Sequence, residues 1–431
     1  MGWYILYNLL TLIISPILLA ALGVNKKYRT GIRQRLGFIP QNIRSALNGS
    51  RPIWLHAVSV GEVTASIPII KKIKEEHPHL KLLVSTITAT GNYTARQKVP
   101  EADCVMYFPY DYFFVVDRVI GIINPCIFIH TETEIWPNFL WALERRSIPS
   151  VIVNGRISSH SCRRYKLFGF FFRKVFNKVS VFGMQSSIDY ERVLTIGADP
   201  RRVLLTGNMK FDQKISDLTH EEKVKRLEEF NLRPGNEIMI AGSTHAGEEA
   251  IVLDVFQQLL KEKPRLLLIL APRHPERCQE VERMVRERGF TLIRRTQITK
   301  HDSSQCAQVI LLDTIGDLSL TYGIGDIIFV GGSLVNIGGH NILEPLVYGK
   351  PVVFGPYMQN FSEIAESLME SKAGIMVRNG EELLLQAKRL LGNKAEAQAL
   401  GQKGFQVIKQ HQGATDKNMK IISRFIRNCA P

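Results

Sequence analysis

Two glutamates in the first half of the chain stand where a general base could work. Glu62 lies in SVGE, shortly after the apolar segment 52–58, and Glu132 lies directly after the apolar segment 125–131. A carboxylate held at the end of a buried strand can accept a proton from a substrate hydroxyl. Glu62 also opens a helix-like stretch, where a carboxylate can simply complement the helix dipole. Both interpretations of Glu62 remain open on its surroundings alone.

Further charged residues accompany these glutamates. Glu134 follows Glu132 two residues later, within HTETEIWPN at residues 130–138. Two carboxylates, an aromatic residue and a Pro-Asn pair exceed what a simple turn requires. Lys210, in TGNMKFD, stands where the first half ends and a hinge to the second half is expected. A lysine at that point is expected to reach both halves.

The second half contains a glycine-rich segment, FVGGSLVNIGGHNILEP, at residues 329–345. Glycines lack a Cβ atom, so the backbone N–H groups beside them can approach a ligand closely. The stretch from His340 to Leu346 is expected to open a helix, whose free N–H groups favour an anion such as phosphate. Glu344 is suited to binding two vicinal ribose hydroxyls. The segment predicts a nucleotide pocket, and the alternative is a turn followed by a capped helix.

Two more polar clusters follow apolar segments in this half. Arg273 comes directly after LLLILAP, residues 266–272, and an arginine there can hold a phosphate in bidentate geometry. Ile315, Gly316 and Asp317 follow the apolar segment 309–313, where backbone groups can contact a base. Both clusters support the prediction of a nucleotide site.

No residue pattern in the sequence indicates a metal site. Asp-x-Asp does not occur, and the six cysteines show neither a CxxC pair nor another zinc-ligand spacing. We therefore predict a metal-independent site without a cofactor.

Apolar, strand-like segments alternate with helix-like segments through both halves, which predicts βα units around parallel sheets. A charged stretch at residues 210–237 interrupts the alternation and is expected to connect two domains. The predicted strands are 52–58, 81–87, 104–109, 125–131, 149–154 and 179–185 before it, and 238–242, 265–272, 309–313, 326–332 and 351–355 after it.

The N-terminal segment from Trp3 to Val24 carries no charged residue. Its length matches the roughly 20 residues that a membrane-spanning helix needs. Lys26, Lys27 and Arg29 follow it, so by the positive-inside rule the rest of the chain is expected on the cytoplasmic side. The alternative is an apolar helix that packs on the protein or lies in the membrane interface.

The formal net charge of +15 predicts an anionic partner. No zinc-finger, RRM or KH pattern occurs, so nucleic acid is not the expected partner. Basic and aromatic residues are mixed in RRYKLFGFFFRKVFNKV, residues 163–179, as is typical of a helix on a membrane surface. The alternative is a core helix with a solvated basic face.

Together these motifs resemble those of the 3-deoxy-D-manno-octulosonic acid (Kdo) transferases of lipopolysaccharide assembly. The resemblance extends from the apolar N-terminus to the C-terminal helices. It is carried by SVGE (59–62), ETEIWPN (132–138), KFD (210–212), PRHPER (272–277) and GGSLV…GGHN…LEP (331–345).

The resemblance implies an α/β protein of the GT-B glycosyltransferase class, with two doubly wound Rossmann-like domains and an N-terminal membrane helix. The implied location is the inner membrane, single-pass or monotopic, with the domains on the cytoplasmic face. The implied divisions are a membrane anchor at 1–25, an acceptor-binding domain at 26–212, a linker at 213–236, and a CMP-sugar-binding domain with C-terminal helices at 237–431.

The implied reaction is inverting transfer of Kdo from CMP-Kdo to a lipid A precursor, lipid IVA, which is a phosphorylated and acylated lipid. Glu62 matches the family's proton acceptor, and Glu132 and Lys210 match its transition-state-stabilising positions. Asp317 departs from an expected glutamate, and Ile342 stands where some relatives have proline. The implied CMP-binding residues are Pro272, Arg273, Ile315, Gly316, Asp317, Asn341, Ile342, Leu343 and Glu344.

Two alternative functions remain at this point. One is another GT-B nucleotide-sugar transferase, for example one that uses a uridine nucleotide, or a nucleotide-sugar epimerase. The other is a non-catalytic membrane-anchored protein that binds anionic lipid, which would have no need for Glu62, Arg273 and Glu344 together.

Overall fold

The computed structural model describes residues 2–24, 30–132, 134–212, 219–299 and 307–426. In the first helix, side chains are described for residues 2–15. The chain divides into two compact units: unit 1 comprises Met1–Asp212 with His411–Pro431, and unit 2 comprises Gln213–Gln410. Within the described residues, each unit is built on one parallel sheet of seven strands.

Among the described residues of unit 1, helices precede a series of alternating strands and helices, with strand order β3-β2-β1-β4-β5-β6-β7. Its elements are α1 (Gly2–Val24), α2 (Ile32–Arg35), α3 (Gln41–Leu47), β1 (Ile53–His56), α4 (Val60–Glu76), β2 (Leu82–Thr86), α5 (Ala89–Lys98), β3 (Cys104–Tyr107), α6 (Phe113–Ile123), β4 (Ile127–Thr131), α7 (Pro137–Arg145), β5 (Ser150–Gly155), α8 (Ser159–Leu167), α9 (Gly169–Phe176), β6 (Val181–Met184), α10 (Ser187–Ile196) and β7 (Val203–Leu205).

Unit 2 repeats the alternation, with strand order β10-β11-β9-β8-β12-β13-β14. Its elements are α11 (His220–Glu228), β8 (Ile238–Thr244), α12 (Glu248–Leu260), β9 (Leu267–Pro272), α13 (Cys278–Glu287), β10 (Leu292–Arg294), β11 (Val309–Leu311), α14 (Leu318–Thr321), β12 (Ile327–Val330), α15 (Leu343–Leu346), β13 (Val352–Phe354), α16 (Ser362–Glu370), β14 (Ile375–Met376), α17 (Gly380–Gly392) and α18 (Lys394–His411).

The central strands are mainly apolar because helices cover both faces of a parallel sheet. In unit 1, β1, β2 and β4 are buried along their whole length. Trp54 fills the core beside β4, with its ring edge-on to Phe128 and Phe139 at 5.5 and 5.1 Å between centroids. Its indole N–H donates to the Ser85 hydroxyl at 2.8 Å, so the one polar atom of this large side chain is satisfied.

Every segment predicted as a strand contains one, so the α/β interpretation is confirmed for both units. The strands that the sequence did not predict are β7, β10 and β14, which lie at sheet edges. Each is two or three residues long and partly exposed, so it lacks the apolar run that marks a central strand.

The predicted domain boundaries need two corrections. Residues 213–236 were expected to be a linker, but α11 lies among them, and the Arg226 guanidinium donates to the Thr321 hydroxyl of unit 2 at 2.8 Å. The last helix, α19 (Ala414–Ile426), belongs to unit 1 rather than to the second domain. Its Met419 and Ile422 join the core beneath β1 and β2.

The chain returns to unit 1 beside the point where it left. The carboxylate of Asp212 accepts the backbone N–H of Gly413 at 2.7 Å and that of Thr415. The apolar face of α19 packs into the core of unit 1 together with residues of α4, and this burial of apolar surface stabilises the returning helix there.

Residues Gly2–Val24 form a helix, as predicted. Among the helices that the structure describes, none is both long enough and apolar enough to cross a membrane, so the predicted spanning segment is not confirmed. The first turns of α1 pack on unit 1 through Trp3 against Phe170 and through Tyr4 against Trp141, both at 4.3 Å between ring centroids. The basic residues Lys26, Lys27 and Arg29 lie outside the described residues.

Candidate active site

Glu62 lies in the first turn of α4, which begins four residues after the end of β1. Its Oε2 accepts the backbone N–H of Val58 at 2.8 Å, and its Oε1 accepts the hydroxyl of Ser59, the N-cap residue, at 3.1 Å. The carboxylate is thereby held against the start of its own helix in one orientation. This position allows both of the interpretations that the sequence left open.

The electrostatics of Glu62 favour proton transfer over simple capping. Burial, and after it the charge of Glu132, raises the pKa of Glu62 from 4.5 to about 8, although the Val58 N–H acts in the opposite direction. In a carboxylate that only caps a helix, the hydrogen bonds donated by backbone N–H groups lower the pKa. A pKa close to the working pH is what an efficient general base needs.

Glu132 and Lys210 are brought together in unit 1. The Nζ of Lys210 lies 3.8 Å from Oε1 of Glu132. Glu132 follows β4 directly and has a φ of 60°, which costs energy for a residue with a side chain. Its backbone N–H donates to the carbonyl of Val153 at 2.9 Å, and this bond holds the strained turn in place.

Two asparagines that the sequence analysis did not single out position Lys210. The Asn208 side chain accepts the backbone N–H of Lys210 at 3.0 Å, and the Asn154 side chain accepts that of Met209 at 2.8 Å. Both asparagines are buried, and Asn154 has a φ of 53° at the end of β5. A sequence signal existed, because asparagine at the end of an apolar strand commonly bonds to nearby backbone and adopts such a φ.

Glu134 is a third carboxylate in this region. Burial, with a smaller contribution from the charge of Glu132, raises the pKa of Glu134 from 4.5 to about 7. One of its carboxylate oxygens is buried and accepts no hydrogen bond from any described residue. Unit 1 therefore holds two carboxylates with raised pKa values around the Glu132–Lys210 pair.

Two histidines near the ends of β1 and β4 have a structural role. His56 bonds to the Ser85 hydroxyl through Nδ1 at 2.9 Å, and His130 bonds to the Ser150 hydroxyl through Nε2 at 2.9 Å. Burial lowers the pKa of His56 to about 3 and that of His130 to about 4. Both are neutral near pH 7 and link neighbouring strands.

In unit 2, the predicted nucleotide-contacting residues follow strands that are neighbours in the sheet. The order β11-β9-β8-β12 is parallel throughout, so the carboxyl ends of these strands lie at one edge. Ligands of open α/β sheets bind at such an edge. Pro272 ends β9 and Arg273 follows it, residues 315–317 follow β11, and residues 341–344 follow β12.

Arg273 is held at this edge by its backbone, since its N–H donates to the carbonyl of Thr244 at 2.9 Å. Its guanidinium is exposed, and no described residue forms an ion pair or hydrogen bond with it. A cation without an internal partner at the edge of the sheet is suited to an anionic ligand.

Ile315 and Gly316 form an open turn, with the Ile315 side chain 90% exposed and Gly316 at a φ of 94°. The carboxylate of Asp317 is engaged inside the protein, because it accepts the Thr314 hydroxyl at 2.7 Å and the Arg226 guanidinium at 3.2 Å. Burial alone would raise the pKa of Asp317, but these hydrogen bonds lower it below its ordinary value. The backbone of this turn and the Ile315 side chain are therefore the parts that can contact a ligand.

Residues 341–344 form a compact turn into α15. The Asn341 side chain accepts the N–H of Leu343 at 3.1 Å and donates to Oε1 of Glu344 at 3.2 Å. Ile342 and Leu343 are fully buried, whereas Asn341 and Glu344 are partly exposed and can contact a ligand. The helix predicted to open at His340 begins at Leu343 and is four residues long.

The first glycine pair, Gly331 and Gly332, is explained by contacts within the protein. The buried carboxylate of Glu248 accepts the N–H groups of Gly332 at 2.6 Å, Ser333 at 3.0 Å and Leu334 at 2.9 Å. A Cβ atom on Gly331 would lie 2.9 Å from this carboxylate and closer still to the backbone of Ser243 and Thr244. The backbone donors that the sequence assigned to a ligand are thus used by Glu248.

The basic aromatic segment 163–179 is not one helix. It divides at Phe168 into α8 and α9. Tyr165 packs on Phe172 and Phe176, which face the core, whereas Leu167, Phe168 and Phe170 are exposed. The segment therefore has one side that faces the core and one exposed apolar side.

Solved structures with the same fold define the class of this protein. The chain aligns over 88% of its length with a glycosyltransferase from Rickettsia africae, at a TM-score of 0.56 and 14% identity, covering 98% of that chain. It aligns over 87% of its length with UDP-GlcNAc 2-epimerase from Neisseria meningitidis, at a TM-score of 0.57 and 11% identity, covering all of that chain. The protein therefore has the GT-B fold.

The sequence comparisons give the family. The profile of the 3-deoxy-D-manno-octulosonic-acid transferases matches residues 30–213. The 3-deoxy-D-manno-octulosonic acid transferase of Haemophilus influenzae is 34% identical over 98% of this chain and 99% of its own length. The enzyme of that name from Aquifex aeolicus is 32% identical over 83% of this chain and 91% of its own length. The chain belongs to the Kdo transferase family, whose members are glycosyltransferases.

Proposed function

We propose that this protein transfers Kdo from CMP-Kdo to a phosphorylated, acylated lipid A precursor, lipid IVA, with inversion at the anomeric carbon. Family membership supports the donor and the reaction. The observation that carries the proposal is the position of Glu62, a fixed carboxylate whose pKa is raised to about 8.

In the proposed step, Glu62 takes the proton from an acceptor hydroxyl while that oxygen attacks the anomeric carbon of Kdo. The bond from this carbon to the CMP phosphate breaks, and its electron pair leaves with CMP. Glu132 and Lys210, at 3.8 Å from each other, offset and orient charge near the reacting groups. Electrostatic stabilisation of this kind is strongest where water is excluded.

Unit 2 is proposed to bind the CMP part of the donor at the carboxyl edge of its sheet. Pro272 and Arg273 lie at one strand end, and Arg273 offers a guanidinium without an internal partner for the phosphate. Backbone groups at Ile315, Gly316 and Asp317 contact the base in this proposal, and the turn at Asn341, Ile342, Leu343 and Glu344 contacts the ribose. We propose that no metal is required, because the leaving phosphate meets cationic side chains of the protein.

Unit 1 is proposed to bind the lipid acceptor at a membrane surface. Arg163, Arg164 and Lys166 on α8 are exposed beside the apolar side chains of Leu167 and Phe168. A phosphorylated and acylated lipid requires this combination of cations and apolar surface. The exposed apolar residues of α1, among them Ile5, Leu9 and Ile13, extend that surface, because Trp3 contacts Phe170. This arrangement supports a monotopic association with the cytoplasmic face of the inner membrane.

The test is Kdo transfer by the Glu62→Gln variant, with CMP-Kdo and a tetraacylated acceptor, followed by mass spectrometry of the product. General base catalysis contributes at least about 100-fold, so turnover is expected to fall by that factor or more. Glu76→Gln, an exposed glutamate at the end of the same helix, is the matched control and should retain activity. A Glu62→Gln variant within about tenfold of the wild type would remove Glu62 from the role of base.

The fold alone also fits an epimerase or a transferase that uses a uridine nucleotide, since the aligned structures include UDP-GlcNAc 2-epimerase. Parallel assays with CMP-Kdo and with UDP-GlcNAc separate these functions. Turnover of UDP-GlcNAc with no product from CMP-Kdo would replace the proposed reaction.

A further inference from the structure

Three histidines gather beside Arg273 at the carboxyl edge of the sheet in unit 2. His245 follows β8, His274 follows Arg273, and His340 belongs to the glycine-rich segment after β12. Nε2 of His245 lies 2.7 Å from Nε2 of His340, and the two rings are nearly parallel at 5.0 Å between centroids. The ring of His274 meets that of His245 edge-on at 5.6 Å.

The contact between His245 and His340 restricts their protonation. A hydrogen bond between two Nε2 atoms needs a proton on one ring and a lone pair on the other. A neutral pair can therefore take up one further proton, at Nδ1 of the donating ring, without losing the bond. A second proton would leave both Nε2 atoms as donors and break it. The pair thus accommodates one positive charge at most.

Two carboxylates that follow His245 in the sequence are already occupied. Glu248 accepts the backbone N–H of His245 at 3.0 Å in addition to those of the glycine-rich segment. Glu249 is paired with Arg277 at 2.7 Å. Within the part of the chain that the structure describes, Arg273 forms no ion pair with a carboxylate.

This environment keeps the pair neutral. Burial, followed by the charge of Arg273 and the neighbouring histidines, lowers the pKa of His340 from 6.5 to about 3. Burial and His274 lower the pKa of His245 as well, while Glu249 partly opposes them and Arg273 and Arg277 add to the lowering. An anion placed beside Arg273 would offset that charge and make protonation of the pair favourable.

We propose that the His245–His340 pair forms part of the phosphate site of unit 2 and takes up one proton from solvent when a nucleotide phosphate binds beside Arg273. The inference rests on the proposed function only in that unit 2 binds a nucleotide; it does not depend on the base or the sugar. The consequence is a donor affinity that increases as the pH falls.

The test is titration calorimetry of the full chain with CMP at about pH 7, in buffers that differ in ionisation enthalpy. The dependence of the apparent enthalpy on the buffer gives the number of protons taken up. We expect a net uptake of up to one proton with CMP and none with cytidine, which lacks the phosphate. The dissociation constant for CMP should rise by up to about tenfold per pH unit between about pH 6 and about pH 8.

Two variants connect the uptake to the pair. His340→Gln and His245→Gln each keep an amide that can hydrogen-bond but remove a ring that can be protonated. Both should bind CMP without proton uptake and with a weaker dependence on pH. His79→Gln, an exposed histidine of unit 1, is the matched control and should behave as the wild type. Thermal unfolding of each variant shows whether it is folded. One folded variant, of either His245 or His340, is enough for the test.

The possible outcomes separate this inference from the proposed donor. CMP binding without proton uptake in the wild type, or with equal uptake in both variants, would overturn the inference and leave the donor proposal standing. Binding of UMP but not CMP, with proton uptake, would support the inference and overturn the donor proposal. If CMP, UMP and inorganic phosphate all fail to bind, both proposals are wrong.

Discussion

The hydroxyl of Tyr7 in α1 donates a hydrogen bond to Oδ2 of Asp111 at 2.9 Å. The same carboxylate accepts the backbone N–H of Asn138 at 3.0 Å and that of Phe139 at 2.9 Å, and so caps the start of α7. The loop that carries Glu132 and Glu134 leads directly into α7. A single carboxylate therefore connects the N-terminal helix to the segment that positions the site glutamates.

Tyr7→Phe tests this connection. The substitution removes one hydrogen bond to a carboxylate, so we expect the free energy of unfolding to fall by about 1 to 2 kcal/mol. Tyr93→Phe removes an exposed hydroxyl and should change it by less than about 0.5 kcal/mol. Denaturant unfolding measures both variants, with the same detergent present in the two experiments. Equal effects of the two variants would show that the bond between Tyr7 and Asp111 does not hold α1 on unit 1.

The raised pKa of Glu134 predicts a cost in stability at high pH. A carboxyl group whose pKa rises from 4.5 to about 7 on folding costs stability as the pH increases between these values, and the full cost remains above them. Glu134→Gln removes that cost. We expect the variant to be more stable than the wild type at about pH 8, by on the order of 2 kcal/mol, with a much smaller difference near pH 4.

Thermal unfolding across this pH range checks the prediction, with Glu76→Gln as the exposed control on α4. A Glu134→Gln variant that gains equal stability at both pH values would contradict it, because a packing effect does not depend on titration.

The charge of Glu132 raises the pKa of Glu62, which predicts opposite shifts in two variants. Glu132→Gln removes that charge, so the pH at which kcat/KM rises should move down. Lys210→Met removes the cation 3.8 Å from Glu132 and leaves the negative charge of Glu132 less compensated. The pH at which kcat/KM rises should therefore move up. The pH profile of kcat/KM for Kdo transfer measures both, even where turnover is low. Profiles that do not move, or that move in the same direction, would mean that Glu62 is not the group titrating.

A substitution of Glu248 tests whether the N–H groups after the first glycine pair bind this carboxylate rather than a ligand. Its buried carboxylate accepts four backbone N–H groups, and Glu248→Gln replaces one accepting oxygen by a donating amide. We expect a loss of roughly 3 kcal/mol in the free energy of unfolding. Glu280→Gln, on the exposed face of α13, should cost less than about 1 kcal/mol. If Glu248→Gln leaves the free energy of unfolding nearly unchanged, the N–H groups of Gly332, Ser333 and Leu334 would again be candidates for binding a ligand.

The central strands were predictable because burial on both faces requires an uninterrupted apolar run. The edge strands β7, β10 and β14 were not, because a short strand with one open side has no such requirement. The return of α19 to unit 1 was not predictable either. An amphipathic helix shows that it covers a core, but its sequence does not state which of two cores it covers.

In the candidate site too, residue types and their spacing in the sequence predict some features, whereas others depend on the three-dimensional structure. Glu62, Glu132 and Lys210 could be selected as charged residues after strand ends. The segment of Lys210 is positioned by Asn208, two residues away, and by Asn154, which binds the backbone N–H of Met209 from 55 positions away in the sequence. The capture of the N–H groups of Gly332 by Glu248 joins residues 84 positions apart, so the glycine pair alone could not distinguish an internal carboxylate from a bound phosphate.

The exposed cations of α8 should govern use of the lipid acceptor without affecting the nucleotide. Arg163, Arg164 and Lys166 contribute roughly 1 kcal/mol each to attraction by an anionic membrane surface. Changing all three to Gln should weaken binding to anionic lipid vesicles by on the order of 100-fold and lower acceptor turnover, with the dissociation constant for CMP unchanged. A control that replaces Arg51, Lys71 and Lys98, which are exposed elsewhere on unit 1, makes the same change in net charge and should leave vesicle binding within about threefold. Equal losses in both triple variants would assign the effect to net charge, and a parallel loss of CMP binding would contradict the proposed assignment of acceptor to unit 1 and donor to unit 2.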